Sequence, residues 1–171
     1  MRKIILNLAI SLDGFIEGSD GEFDWCFSDQ DYSDGQLDQF DAVFMGRKSY
    51  ELMINLNEMP IKNMKNYIFS DSLDSVKYGS LIRSSNMIDE VNKIKEDPGN
   101  DIWFFGGADL LTSFLEEGLI DELQLAVHPI LLGKGKNLFQ GKLNERIQCT
   151  FISAKSYDTG LVMLRYKVKS N

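Results

Sequence analysis

The sequence predicts an α/β protein built on a mostly parallel sheet that closes with antiparallel pairing at its C-terminal end. Three observations predict it. Apolar strand-like runs alternate with segments of helical period. At two places a glycine-containing turn stands directly between an apolar strand and a helix: FMGRKSYE and FFGGADLL. Near the C-terminus the period changes to two, in segments on either side of Asp158-Thr159-Gly160, which reads as a hairpin.

Taken in order, Lys3 to Ile10 is a nearly continuous apolar run, as expected of a strand covered on both faces. A long loop follows in SLDGFIEGSDGEFDW, and a helix is expected from the Asp29–Ser33 cluster to Phe40. DAVFMG reads as a strand, RKSYELM as a helix start, and NYIFS as a third strand followed by SLIRS. IDEVNKIKE places Ile88, Val91 and Ile94 on one helical stripe and stops before Pro98-Gly99. DIWFF is a buried strand, Gly106-Gly107 turns the chain, and ADLLTSFLEEG is an amphipathic helix closed by Gly118. DELQLAVHP is a further strand. Ile147, Cys149 and Phe151 then share a face, as do Val162, Leu164, Tyr166 and Val168. With 171 residues and neither repeat nor linker, the expectation is a single domain over residues 1–171 with its own core.

Composition narrows the function classes. A formal charge of −8 disfavours nucleic acid and anionic membrane surfaces as partners, because both would repel the chain. No apolar run approaches the roughly 20 residues needed to span a bilayer. Two cysteines without a secretory signal point to a reduced, cytoplasmic protein. One histidine and two distant cysteines do not make a metal site, so no metal is expected. His128, beside Pro129 in a strand pattern, reads as structural, and so does Asp13 in the SLDG turn.

In an open parallel sheet, ligands gather outside the C-terminal ends of the strands, where helix N-termini favour anions. Both strand-to-helix junctions suit this. Gly46 lets backbone approach a ligand, Arg47 and Lys48 carry positive charge, and Ser49 adds a hydroxyl. Gly106 and Gly107 free the amides of Ala108 and Asp109. Each glycine could also serve its turn alone, but the two junctions together favour a phosphate-bearing ligand. No GxGxxG follows the first strand, which argues against a standard Rossmann site.

SLDGFI, MGRKSYE, FFGGADLL and GLIDELQLAVHPILLGKGKNLF, in that order and across essentially the whole chain, resemble the dihydrofolate-reductase-like family. The nearest branch resembles the stand-alone relatives of the riboflavin-pathway pyrimidine reductase, the C-terminal domain of bacterial bifunctional deaminase-reductases. The resemblance implies an NADPH-dependent oxidoreductase that passes a hydride to a small heterocyclic substrate, in the clan of 5-amino-6-(5-phosphoribosylamino)uracil reductase and dihydrofolate reductase. It maps Arg47, Lys48 and Ser49 to the cofactor's phosphates, and Gly107, Ala108, Asp109 and Leu110 to its pyrophosphate. Ala9 and Ile16 would line the nicotinamide, Phe69 and Ser70 would face the adenosine side, and Arg83 would approach the adenosine phosphate. Asp71 beside Ser70 keeps NADH open as an alternative. The resemblance also implies a homodimer.

The substrate side departs from the pattern. Asn7 stands where pyrimidine reductases carry lysine, and Phe105 where they carry glutamate. Asp29 and Asp31 are the candidate catalytic carboxylates, able to feed a proton to the reduced ring or to cap a helix. A non-catalytic nucleotide-binding dimer that has lost its substrate groups is the alternative reading.

Overall fold

The computed structural model describes residues 1–27, 37–58, 61, 63–140 and 143–169. The elements are β1 (Ile4–Ser11), β2 (Phe15–Glu17), β3 (Phe40–Gly46), α1 (Arg47–Asn55), β4 (Lys65–Phe69), β5 (Ser80–Ile82), α2 (Met87–Glu96) and β6 (Asp101–Gly106). α3 (Ala108–Glu116), β7 (Glu122–His128), β8 (Lys136–Asn137), β9 (Cys149–Ser156) and β10 (Val162–Val168) complete them. Eight strands form one sheet in the order β5-β4-β3-β6-β1-β7-β10-β9, while β2 and β8 pair separately. Pairing is parallel from β5 to β7 and antiparallel at β7–β10 and β10–β9.

The strands alternate their side chains between two packed layers. On one face Leu6, Ala42, Phe44, Ile102 and Phe104 meet α2 and α3. On the other, Val43, Met45 and Ile68 meet Tyr50 and Ile54 of α1. Phe114 of α3 anchors the first layer, with ring centroids 5.0 Å from Phe104 and 5.2 Å from Phe69, both edge to face. Truncating so enclosed a ring typically costs about 3–5 kcal/mol.

Helix ends follow local chemistry. α2 carries Asp89 and Glu90 in its first turn and Lys93 and Lys95 in its last, which complements the helix dipole. It stops because Pro98 forces Asp97 out of the helical region, to ψ 145°. α3 closes at Gly118, whose φ of 64° suits glycine.

Two expectations change. Of the helix expected from the Asp29–Ser33 cluster to Phe40, residues 29–36 lie outside the described residues; Leu37–Gln39 is a single 3-10 turn, and Phe40 opens β3. Phe40 is held in the strand by burial, at 5% exposure, and by stacking on Trp103. The β2–β8 ribbon was not foreseen, because three residues facing two are too short to show an alternating pattern. The terminal hairpin forms as expected, although Cys149 and Phe151 are exposed because β9 is the edge strand.

Candidate functional site

β3 and β6 are neighbours, yet the chain leaves them in opposite directions. α1 carries β3 outward to β4 across one face, and α3 carries β6 to β7 across the other. Such a reversal opens a crevice beyond the strands' C-terminal ends. Both glycine turns meet there. A Cβ on Gly46 would lie 3.8 Å from the Cα of Gly107, and one on Gly107 would lie 3.5 Å from the Cα of Gly46.

Gly46 and Gly107 are the N-cap residues of α1 and α3, and neither helix start has a side-chain cap. Two sets of first-turn N–H groups therefore converge without the hydroxyl or carboxylate that usually satisfies them. α1 has no acidic residue in its first turn; Arg47 and Lys48 stand there instead. Gly107 adopts φ 107° and Gly106 φ 150°, conformations that side-chain-bearing residues rarely take. An anionic phosphate group fits this arrangement on donors and on backbone access, and at the α1 start on charge, whereas α3 carries the exposed Asp109 in its first turn.

A cleft of about 550 Å³ opens beside the junction. β1 contributes Asn7 and Ala9, β2 contributes Ile16 and Glu17, and α1 contributes Ser49, Leu52 and Met53. β6 adds Trp103 and Phe105, and Lys136 and Leu138 also line the cleft. The Trp103 indole N–H donates to the Asn7 carbonyl at 2.8 Å, which fixes the ring.

The chain that brings Phe23 and Cys26 to this cleft is anchored from below. The Phe27 N–H donates to Nε2 of His128 at 3.1 Å, so that nitrogen is unprotonated and Nδ1 carries the proton towards the Ala126 carbonyl at 3.0 Å. Burial holds the imidazole below its usual pKa. Trp25 packs edge-on at 5.4 Å. Burial, with a smaller contribution from Asp24, pushes the Cys26 thiol up to about 11. Asp13 fastens the SLDG turn to the glycine-rich connection, accepting from Ser11 Oγ at 2.6 Å and from the N–H groups of Leu132 at 3.2 Å and Gly133 at 2.7 Å. Those hydrogen bonds, the Ser11 hydroxyl foremost, keep its carboxyl below the ordinary range.

Of the residues singled out in the sequence, Ala9, Ile16, Ser49, Gly106, Gly107 and Ala108 line the cleft together. Gly46 backs against Gly107, with Leu110 packed beside both. Arg47 turns along its own helix to pair with Glu51 at 2.9 Å, and Lys48 and Asp109 are exposed. Phe69 is 7% exposed and packs into the core. Arg83 donates to the Ser70 carbonyl at 2.9 Å, away from the cleft lining. Asp71 accepts the Ser84 N–H at 2.9 Å. Asp29 and Asp31 lie outside the described residues. Sequence reading missed Trp103, Leu52 and Leu56 as cleft residues; the alternation of Trp103 and Phe105 along β6 was the available signal. Among the described residues no cluster of three or more His, Cys, Asp or Glu side chains could hold a metal ion, and no helix is long and apolar enough to cross a membrane.

The model of the RibD C-terminal domain family matches residues 2–163. The chain belongs to the RibD C-terminal domain family. Within reach of this family member is the uncharacterized protein YyaP of Bacillus subtilis, 40% identical over 179 residues, covering 96% of this chain and 94% of YyaP. A crystal structure from Shewanella sp. PV-4, of a protein provisionally assigned to riboflavin biosynthesis, superposes with a TM-score of 0.83 at 24% identity, over 99% of this chain and all of that one. Dihydrofolate reductase from Enterococcus faecalis, solved with NADP(H), gives a TM-score of 0.71 at 14% identity, over 98% of this chain and 97% of that one. This RibD C-terminal domain protein thus has the dihydrofolate-reductase-like fold, as the sequence motifs implied.

Proposed function

We propose that the chain is an NADPH-dependent reductase, one domain over residues 1–171, that transfers a hydride to a small heterocyclic substrate. One observation carries this reading: two uncapped helix N-termini converge on facing glycines at the reversal between β3 and β6, beside a cleft large enough for a ring. Family membership and the reductases that share the fold support it.

The first-turn amides of α1 and α3 would hold the cofactor's phosphates, with Lys48 and a guanidinium released from Glu51 adding charge-assisted contacts. Ala9 and Ile16 would bound the nicotinamide, and the apolar wall around them would exclude water from the reacting faces. The bound cofactor supplies the hydride. Asp29 and Asp31 remain the proposed proton donors. Of the two carboxylates in the described lining, Glu17 is held 3.1 Å from Lys136 Nζ, and Glu58 stands exposed at the rim. The same reading includes a cytoplasmic homodimer.

Titration of the chain with NADPH, read by nicotinamide fluorescence, tests the assignment. Charge-assisted contacts to phosphate contribute about 1.5–3 kcal/mol each. Replacing Arg47 and Lys48 together by alanine should therefore weaken binding by at least about tenfold. Equal affinity of the two proteins would remove these residues from the site, and absence of saturable binding to wild type would remove the cofactor.

A further inference from the structure

β6 sends alternate side chains to opposite faces. Ile102 and Phe104 enter the core, Phe104 also touching the cleft, and Trp103 and Phe105 line it from the other face of the strand, edge to face at 5.1 Å. The indole N–H is already taken by the Asn7 carbonyl, so what this pair offers a ligand is aromatic surface. Leu52, Met53, Leu56 and Ile61 add further apolar lining to the same cleft.

The mouth has the same character. Phe23, Leu37, Leu52 and Leu56 line it at 44%, 40%, 39% and 46% exposure. Large apolar side chains clustered in the open around a concave site mark a surface that a ligand covers.

The charges exclude more than they invite. Glu17, Glu58 and Lys136 are the charged groups of the described lining, two carboxylates against one ammonium, and the ammonium lies 3.1 Å from Glu17. No unpaired cation in that lining would meet a phosphate or carboxylate on a ligand. Away from the helix starts at Ser49 and Gly106–Ala108, an anion on this lining would lose its hydration with no free cation to meet it and would face net negative charge. The remaining polar side chains of the lining are Asn7, Ser49 and Cys26. The Asn7 carboxamide offers a donor and an acceptor, enough to orient a ring but not to neutralise an ion.

We infer that the substrate half of the cleft takes an uncharged, planar aromatic or heteroaromatic ring without a phosphate or carboxylate tail, lying against Trp103 and Phe105 and oriented by Asn7. This rests on the reductase reading for what occupies the neighbouring half.

Equilibrium dialysis of the full chain, with and without NADPH, tests it with three probes: quinoxaline, quinoxaline-2-carboxylate and ribose 5-phosphate. Quinoxaline should bind saturably and at least about tenfold tighter than its carboxylate, as expected when a charge is buried without a partner. Ribose 5-phosphate should not compete with it. Phe105→Glu should weaken quinoxaline at least about tenfold, since it places a carboxylate in the aromatic wall. Leu56→Lys, at a rim position that is 46% exposed, should narrow the preference for the uncharged probe by at least about threefold through one added cation. It carries the test should Phe105→Glu fail to fold. A carboxylate that binds as well as quinoxaline, or quinoxaline that does not saturate, overturns the inference. Quinoxaline preference without NADPH binding overturns the cofactor reading and supports this one; NADPH binding with carboxylate preference does the reverse.

Discussion

Replacing Gly107 by alanine separates a turn from a ligand cradle. At φ 107° and ψ 98° the residue sits where a Cβ is strained, at a cost of about 1–3 kcal/mol. The new methyl would lie 3.5 Å from both Gly46 Cα and Leu110 Cβ, ordinary contact distances, so overpacking adds little and the chain should still fold. For a protein of this size each kcal/mol moves Tm by about 2–4 °C, which predicts a fall of about 2–12 °C. NADPH at a hundredfold excess over Kd should stabilise wild type by about 2.7 kcal/mol, raising Tm by about 5–11 °C. In Gly107→Ala that rise should shrink to a small fraction, because the strained peptide no longer presents its amides against Gly46 and the methyl fills the space between the two helix starts. Differential scanning calorimetry with and without NADPH measures both quantities. A folded variant that keeps the full wild-type rise would refute the cradle and leave Gly107 a turn residue only.

Stability should also fall as pH drops below about 6.5, the unfolded pKa of His128. The unfolded state then takes up a proton that the folded state, with its depressed pKa, refuses, and the slope is at most about 1.4 kcal/mol per pH unit until the folded pKa is passed. Urea melts at pH 7.5 and 5.5, compared with His128→Gln, check this, and an unchanged pH dependence in the variant would exonerate the histidine. Cys26, with its thiol near 11, should be about one-thousandth thiolate at pH 8 and react with iodoacetamide more slowly than exposed Cys149; peptide mapping after timed labelling decides the order. Phe151 is 59% exposed on the edge strand β9, so Phe151→Glu should convert the proposed dimer to the 19.5 kDa monomer in light scattering. A wild type already monomeric at micromolar concentration would end that proposal.

Much of this was legible in the sequence, for identifiable reasons. β3 is buried on both faces, and β1 and β6 carry half-buried apolar residues on their second face, so all three read as nearly continuous apolar runs. α3 shows one apolar stripe, as does α2, although there Met87 joins Val91 and Ile94 in the core and Ile88, expected on that stripe, is exposed. The glycine junctions were legible because only glycine serves a turn that must also approach another backbone. The cleft wall was harder. Leu52 and Leu56 follow the helical period that core residues show, and nothing local tells a leucine facing a ligand from one facing a sheet. The Arg47–Glu51 pair was equally hidden: i,i+4 spacing permits it, but the motif reads first as a phosphate site. The His128 anchor depends on Phe27, far away in sequence, and no local pattern reports such a contact.

The position of β1 has a consequence for how the chain is made. Ile4 to Ser11 occupy an interior place in the sheet, but the partners of β1 are β6 and β7, beginning at Ile102 and Glu122. During synthesis at about 5–20 residues per second, this apolar segment therefore waits on the order of 5–20 s before its first neighbour exists. Neither edge of β1 is hydrogen-bonded over that interval, and its leucines and isoleucines have no layer to enter. Long-range parallel pairing of this kind is slow to form and exposed to aggregation while it does. Yield of soluble protein should thus depend on how quickly nascent chains accumulate, and slower expression at lower temperature should favour it.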